Sequence, residues 1–144
     1  MVNLKSARDK PLVMVVDDDP RFLEIISVYL QSVGLEVSVL NSQNSLEIIT
    51  NIEDVLPELV LMDVYLSAEL LGIKVAERLK RNSKTQCVRI VFWTSAAFPQ
   101  REANVSGQNP GKKFKEEDFW DKSEDLGVIT QKIRNALKSD TARI

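Results

Sequence analysis

Leu12-Val13-Met14-Val15-Val16-Asp17-Asp18-Asp19-Pro20 sets five apolar residues directly against three aspartates. A continuous apolar run with three valines reads as a strand buried on both faces of a parallel sheet, since a strand with one wet face would alternate. The run stops where the acids begin. Asp19 is suited to cap a following helix, and Pro20 suits its first turn, where no intrahelical amide bond is lost. Phe22, Ile25, Ile26, Tyr29, Leu30 and Val33 recur at helical spacing, and Gly34 ends that segment.

The same alternation continues outward from this unit. Leu35 to Leu40 reads as a second strand, and the polar run Asn41 to Ser45 leads into a helix carrying Leu46, Ile49 and Ile52. Pro57 precedes a third short strand, Leu59-Val60-Leu61-Met62, which ends at Asp63. Gly72 interrupts the next segment, after which Val75, Ala76 and Leu79 mark a third helix reaching about Asn82. Val88 to Trp93 forms a fourth strand that ends at Thr94-Ser95. Phe119-Trp120 begins a brief fifth, and Leu126, Ile129, Ile133 and Leu137 give the buried stripe of a last helix. The stretch from Ala96 to Asp118 holds Pro99, Gly107, Pro110 and Gly111 where a fourth helix belongs, so that helix is expected to be short, irregular or missing.

Strands alternating with helices imply right-handed crossovers and a parallel sheet covered on both faces. Five strands suggest an α/β, flavodoxin-like, doubly wound sheet of order 2-1-3-4-5, with its ligand site beyond the carboxyl ends of the strands near the switch point. Asp17 to Asp19 and Asp63 fall there.

Composition narrows the chemistry. With 144 residues the chain holds one complete core, and a separate output domain is not expected to fit. A net charge of −2 gives no footprint for direct nucleic-acid binding, and the one lysine cluster, Lys112, Lys113 and Lys115, reads as a solvated loop. Cys87 is alone, which excludes an intramolecular disulfide and a structural zinc site. There are no histidines, so Ser-His and Cys-His mechanisms are excluded, as is a role as phosphohistidine donor. No segment has the apolar length of a signal peptide or a membrane span, so no membrane association and a cytoplasmic location are expected.

Neighbouring strands one and three would bring the carboxylates at their ends within a few ångströms of each other. Such repulsion is relieved by raised pKa values, by separation into solvent or by a bound cation, and hard oxygens favour magnesium or calcium over zinc. Magnesium commonly bridges carboxylates to phosphate oxygens, and a carboxylate can itself be a nucleophile toward phosphorus.

These residues resemble the receiver domains of bacterial two-component response regulators, chemotaxis-regulator-like and single-domain. The likeness covers Pro11 to Leu137, giving a domain at 11–138 with polar tails at 1–10 and 139–144. Val15-Val16-Asp17-Asp18-Asp19-Pro20 is similar to the family's acidic motif, and Leu59 to Asp63 to its phosphoacceptor motif, with Asp18 and Asp63 separated by 45 positions (63 − 18). The resemblance implies that Asp63 accepts a phosphoryl group from a histidine kinase or a histidine phosphotransfer protein. It also implies that Mg²⁺ is held by Asp17, Asp18, Asp63 and the Tyr65 backbone carbonyl. Thr94 matches the hydroxyl that bonds the phosphoryl group, with Ser95 as the fallback, and Lys122 matches the lysine that pairs with a phosphate oxygen. Phe119 matches the aromatic switch. The protein would then change its binding to an unknown downstream protein, with no turnover chemistry beyond its own phosphorylation and dephosphorylation.

Several positions depart from the family. Ser67 and Leu71 stand where proline and glycine are usual, with Gly72 one place later, so the loop after Asp63 is expected to be one residue longer. Ser123 follows Lys122 in place of a cis-bonded proline, and a trans bond is expected because a cis bond without proline costs roughly 2.5–4 kcal/mol. Thr94 and Lys122 lie 28 positions apart (122 − 94), longer than usual. Trp120 reads as a packed aromatic, or as a partner anchor if exposed. Taken singly, each of these residues has an ordinary structural explanation, and their joint order at strand ends is what is specific. Two other readings stand beside this one. A pseudo-receiver interaction module would keep the fold without phosphorylation. A haloacid-dehalogenase-like phosphatase would use the Asp-x-Asp pattern in Asp17 to Asp19, although Arg21 occupies the position of that family's threonine or valine and the chain is short for that fold.

Overall fold

The computed structural model describes residues 10–66, 71–95 and 114–142. Strand β1 (Leu12–Asp17) leads into helix α1 (Pro20–Ser32), β2 (Glu36–Asn41), α2 (Ser45–Val55), β3 (Leu59–Met62) and α3 (Leu71–Arg81). Strand β4 (Arg89–Thr94) comes next, then a single 3₁₀ turn (Glu116–Asp118), β5 (Phe119–Asp121) and the last helix, α4 (Leu126–Ala142). All five strands are parallel, in the order β2-β1-β3-β4-β5. The expected doubly wound sheet is therefore present. The expectation of a short, irregular or missing fourth helix falls mainly on residues 96–113, and Ser67 on 67–70, both outside the described residues.

The apolar runs of β1, β3 and β4 are continuous because each strand packs on both faces. Val13, Val15, Leu59, Leu61, Val91 and Trp93 join Leu23, Ile26 and Leu30 of α1 and Ile129 and Ile133 of α4 on one side. Met14, Val16, Val60, Met62, Ile90 and Phe92 join α2 and α3 on the other. Alternate residues of one strand thus belong to separate cores, as the period of two requires.

Helix termini obey local chemistry. The Asp19 side chain accepts from the amides of Arg21 (3.0 Å) and Phe22 (3.4 Å), capping α1 at Pro20. Gly34, at φ +91°, closes the other end with its amide on the Gln31 carbonyl. The buried stripes are narrower than the apolar pattern suggests: Ile25 is 63% exposed and Leu46 66%. At about 100° per residue, each lies more than about 110° round its helix from the centre of the buried face. Gly72 does not interrupt a segment but sits in the first turn of α3. Helix α4 continues to Ala142.

Candidate functional site

The register of the sheet assembles the acidic cluster. Val16 pairs with Met62, and the Asp63 amide continues that ladder by donating to the Val16 carbonyl at 3.0 Å. Asp17 and Asp63 therefore leave adjacent strands at the same level. Ligand-type oxygens of Asp17, Asp18 and Asp63 all lie within 4.8 Å of one another. On the far side of β3, Thr94 pairs with Asp121, and the Lys122 amide donates to the Thr94 carbonyl at 2.9 Å. Lys122 thus enters the same carboxyl edge.

Asp17 is only 2% exposed, and its Oδ2 accepts a hydrogen bond from the Lys122 ammonium. The same Nζ lies 3.5 Å from Asp63 Oδ2 and 4.4 Å from the centroid of the Phe22 ring. Burial pushes the Asp17 carboxyl above the usual range for aspartate, although Lys122 and the Asp19 amide pull the other way. Asp17 Oδ1 accepts from the Asp19 amide at 3.0 Å, and Asp63 Oδ1 from the Tyr65 amide at 3.2 Å. Asp18 is half-buried, and its Oδ2 accepts from Gln43 Nε2 at 3.1 Å. Three acids against one ammonium leave surplus negative charge. Hard oxygen donors at this spacing suit a small divalent cation.

Gly72 explains how the loop after Asp63 is closed. A Cβ at this position would lie 2.0 Å from the Asp63 carbonyl oxygen, while the Gly72 amide donates to Val64 O at 3.1 Å. The start of α3 is therefore seated on the backbone of the acid, which is possible only without a side chain.

The Lys122–Ser123 bond is trans, as expected without proline. An Asx turn holds it instead, in which the Ser123 amide and hydroxyl both donate to Asp121 Oδ1 at 2.8 Å. Those bonds hold the Asp121 carboxyl below its ordinary range. Thr94 is buried at the strand end and Ser95 is exposed beyond it, so Thr94 has the better register with the cluster. Phe119 stacks on Phe92 with centroids 4.9 Å apart, and Phe92 meets Phe114 edge to face. Trp120 is 7% exposed and donates through Nε1 to the Glu117 carbonyl at 3.2 Å, which makes it a packed residue rather than an exposed anchor.

Strand order brings Asp17, Asp18 and Asp63 together and the family resemblance adds Lys122, but sequence reasoning misses Gln43 and Phe22. Gln43 lies within a polar run that reads only as a helix approach. The strand order itself is the available signal, because residues following β2 emerge beside those following β1.

The sequence pattern of the response regulator receiver domain matches residues 13–134. The DNA-binding dual master transcriptional regulator RpaA of Synechocystis sp. is 23% identical over 129 residues, covering 89% of this chain and 49% of that protein. The chain thus spans about half the length of the curated relative it matches. A CheY-like receiver domain protein from Methanospirillum hungatei superposes with a TM-score of 0.75 at 20% identity, covering 94% of this chain and 100% of that one. The signal receiver domain of a modulated diguanylate cyclase from Desulfovibrio desulfuricans gives 0.72 at 22% identity, covering 94% and 100%. Among the described residues, no helix is long and apolar enough to cross a membrane. The chain belongs to the response regulator receiver domain family, whose members are signalling modules.

Proposed function

We propose that this receiver accepts a phosphoryl group on Asp63 from a phosphohistidine of a kinase or phosphotransfer protein, in an Mg²⁺-dependent reaction, and thereby changes its binding to a downstream protein. The observation that carries this reading is the convergence of Asp17, Asp18 and Asp63 within 4.8 Å at the carboxyl edge, with Lys122 Nζ 3.5 Å from Asp63. Asp17, Asp18, Asp63 and the Tyr65 carbonyl would hold the ion. When bound, Mg²⁺ supplies charge neutralisation for the acids and for the transferring phosphoryl oxygens.

The chain's own residues would do the rest. An Asp63 carboxylate oxygen attacks phosphorus in line as the phosphorus–nitrogen bond of the donor breaks and its electron pair returns to the imidazole. Lys122 neutralises one developing oxygen charge, and the Thr94 hydroxyl donates to another. Hydrolysis of the acyl phosphate then restores the carboxylate and releases inorganic phosphate. Phosphorylation would bias a two-state equilibrium in which Thr94 is drawn toward the phosphoryl group and the Phe119 ring turns inward.

Incubation with acetyl phosphate, with and without Mg²⁺, followed by intact mass, tests the proposal. Wild type should gain the mass of one phosphoryl group only with Mg²⁺, and Asp63→Ala should gain none. A wild type that stays unmodified with every donor, or Asp63→Ala labelled as well as wild type, would overturn it. The first result would favour the pseudo-receiver, whereas catalytic turnover of a phosphate ester would favour the phosphatase.

A further inference from the structure

We infer that Gln43 is a positioning residue for the divalent cation, fixing the Asp18 carboxylate for metal binding; this rests on the metal site proposed above. Register places it there. Asp17 pairs with Asn41 at the ends of β1 and β2, so Gln43 emerges beside Asp18. Its Nε2 donates to Asp18 Oδ2 at 3.1 Å across 25 positions of sequence.

The turn carrying Gln43 is held at both ends. Ser42 is buried, and its hydroxyl accepts from the Asn44 amide at 3.1 Å. Asn44 in turn caps α2 by accepting from the Glu47 amide at 3.0 Å. Gln43, between them, is exposed and has no packing role in either core. Its one side-chain bond therefore goes to an acid of the cluster from a backbone that is already ordered.

A carboxylate that binds a cation loses rotamer freedom unless another partner already holds it. The Gln43 amide occupies one oxygen of Asp18 and leaves the other for the ion. As a neutral donor it does so without adding a competing positive charge. Partners of this kind, which bind a ligand residue rather than the metal, typically change metal affinity by roughly 10–100-fold. Because Gln43 is exposed, the lower end applies.

Calorimetric titration of the full chain with Mg²⁺ tests the inference, using wild type, Gln43→Ala, Gln43→Met and Asp18→Ala. Methionine keeps the length of the side chain and removes the donor. Both Gln43 variants should bind Mg²⁺ about 10-fold more weakly than wild type, with unchanged melting temperatures in the absence of metal. Variants that bind within about twofold of wild type, or more tightly, would overturn the assignment, given the typical size of such effects. A melting temperature that falls in step with affinity would also overturn it, by showing a structural role. If wild type takes up no Mg²⁺, the metal site itself fails. If wild type binds, Asp18→Ala does not and Gln43→Met matches wild type, only the role of Gln43 fails.

Discussion

Asp63 follows a strand paired on both sides, with Met62 opposite Val16 and Phe92, whereas Lys122 follows a three-residue strand registered against β4. The acids are thus positioned by two cores at once, and the ammonium by a short strand and the turn after it. This difference separates what the core fixes from what local hydrogen bonds fix. Asp17 and Asp63 should resist local change, and the lysine should respond to it.

The largest effect should come from attacking the well-supported side. Gly72→Ala puts a methyl group 2.0 Å from the Asp63 carbonyl oxygen, so α3 or the acid must move. A loss of about 1–3 kcal/mol in urea unfolding is expected, together with weaker labelling of Asp63. Wild-type stability and labelling would show that the support of Asp63 is as compliant as that of Lys122.

A smaller effect of opposite sign is expected at Asp17. Its carboxyl is raised mainly by burial, so the folded state holds its proton more tightly than the unfolded chain does. The stabilising contribution is therefore full below the ordinary aspartate range and is lost as pH rises through the raised value. At neutral pH, Asp17→Asn removes a buried charge and should raise the metal-free Tm by about 2–4 °C, the shift that roughly 1 kcal/mol gives at this size. The gain should shrink on acidification. A Tm that falls at neutral pH would mean that the Lys122 bond outweighs burial.

The smallest effect belongs to the lysine side. Ser123→Ala removes one of two donors to Asp121, so the Asp121 carboxyl, monitored by NMR titration, should move back toward its ordinary range while remaining below it. Since that carboxyl is depressed, its contribution is present above the ordinary range and is lost as pH falls through the lowered value. The fold should persist while Lys122 becomes less ordered. An unmoved Asp121 titration would remove the turn from the account of how Lys122 is held.

The same division decides which features are legible in the sequence. Leu12 to Val16 and Leu59 to Met62 announce buried strands because their burial on both faces leaves no polar position, and order then brings Asp17 to Asp63. Thr94 and Lys122 are located by the family resemblance, together with their order at the ends of strands four and five. The exposure of Ile25 and Leu46 is not legible, since an apolar residue at helical spacing does not say how wide the buried face is. Gln43 and Phe22 depend on side-chain direction across elements, which periodicity does not encode. The seating of Gly72 on Asp63 depends on a backbone approach that its one-place shift obscures.

The hydrogen bond from the Lys122 amide to the Thr94 carbonyl ties together residues 28 positions apart (122 − 94). In polymer terms, it closes a ring. The entropy of closing a flexible ring grows only with the logarithm of its length, and each doubling adds about 0.6 kcal/mol. Lengthening the chain between β4 and β5 is therefore thermodynamically cheap once the two strands are paired. Thr94 and Lys122 can therefore keep their backbone bond when the chain between them is longer.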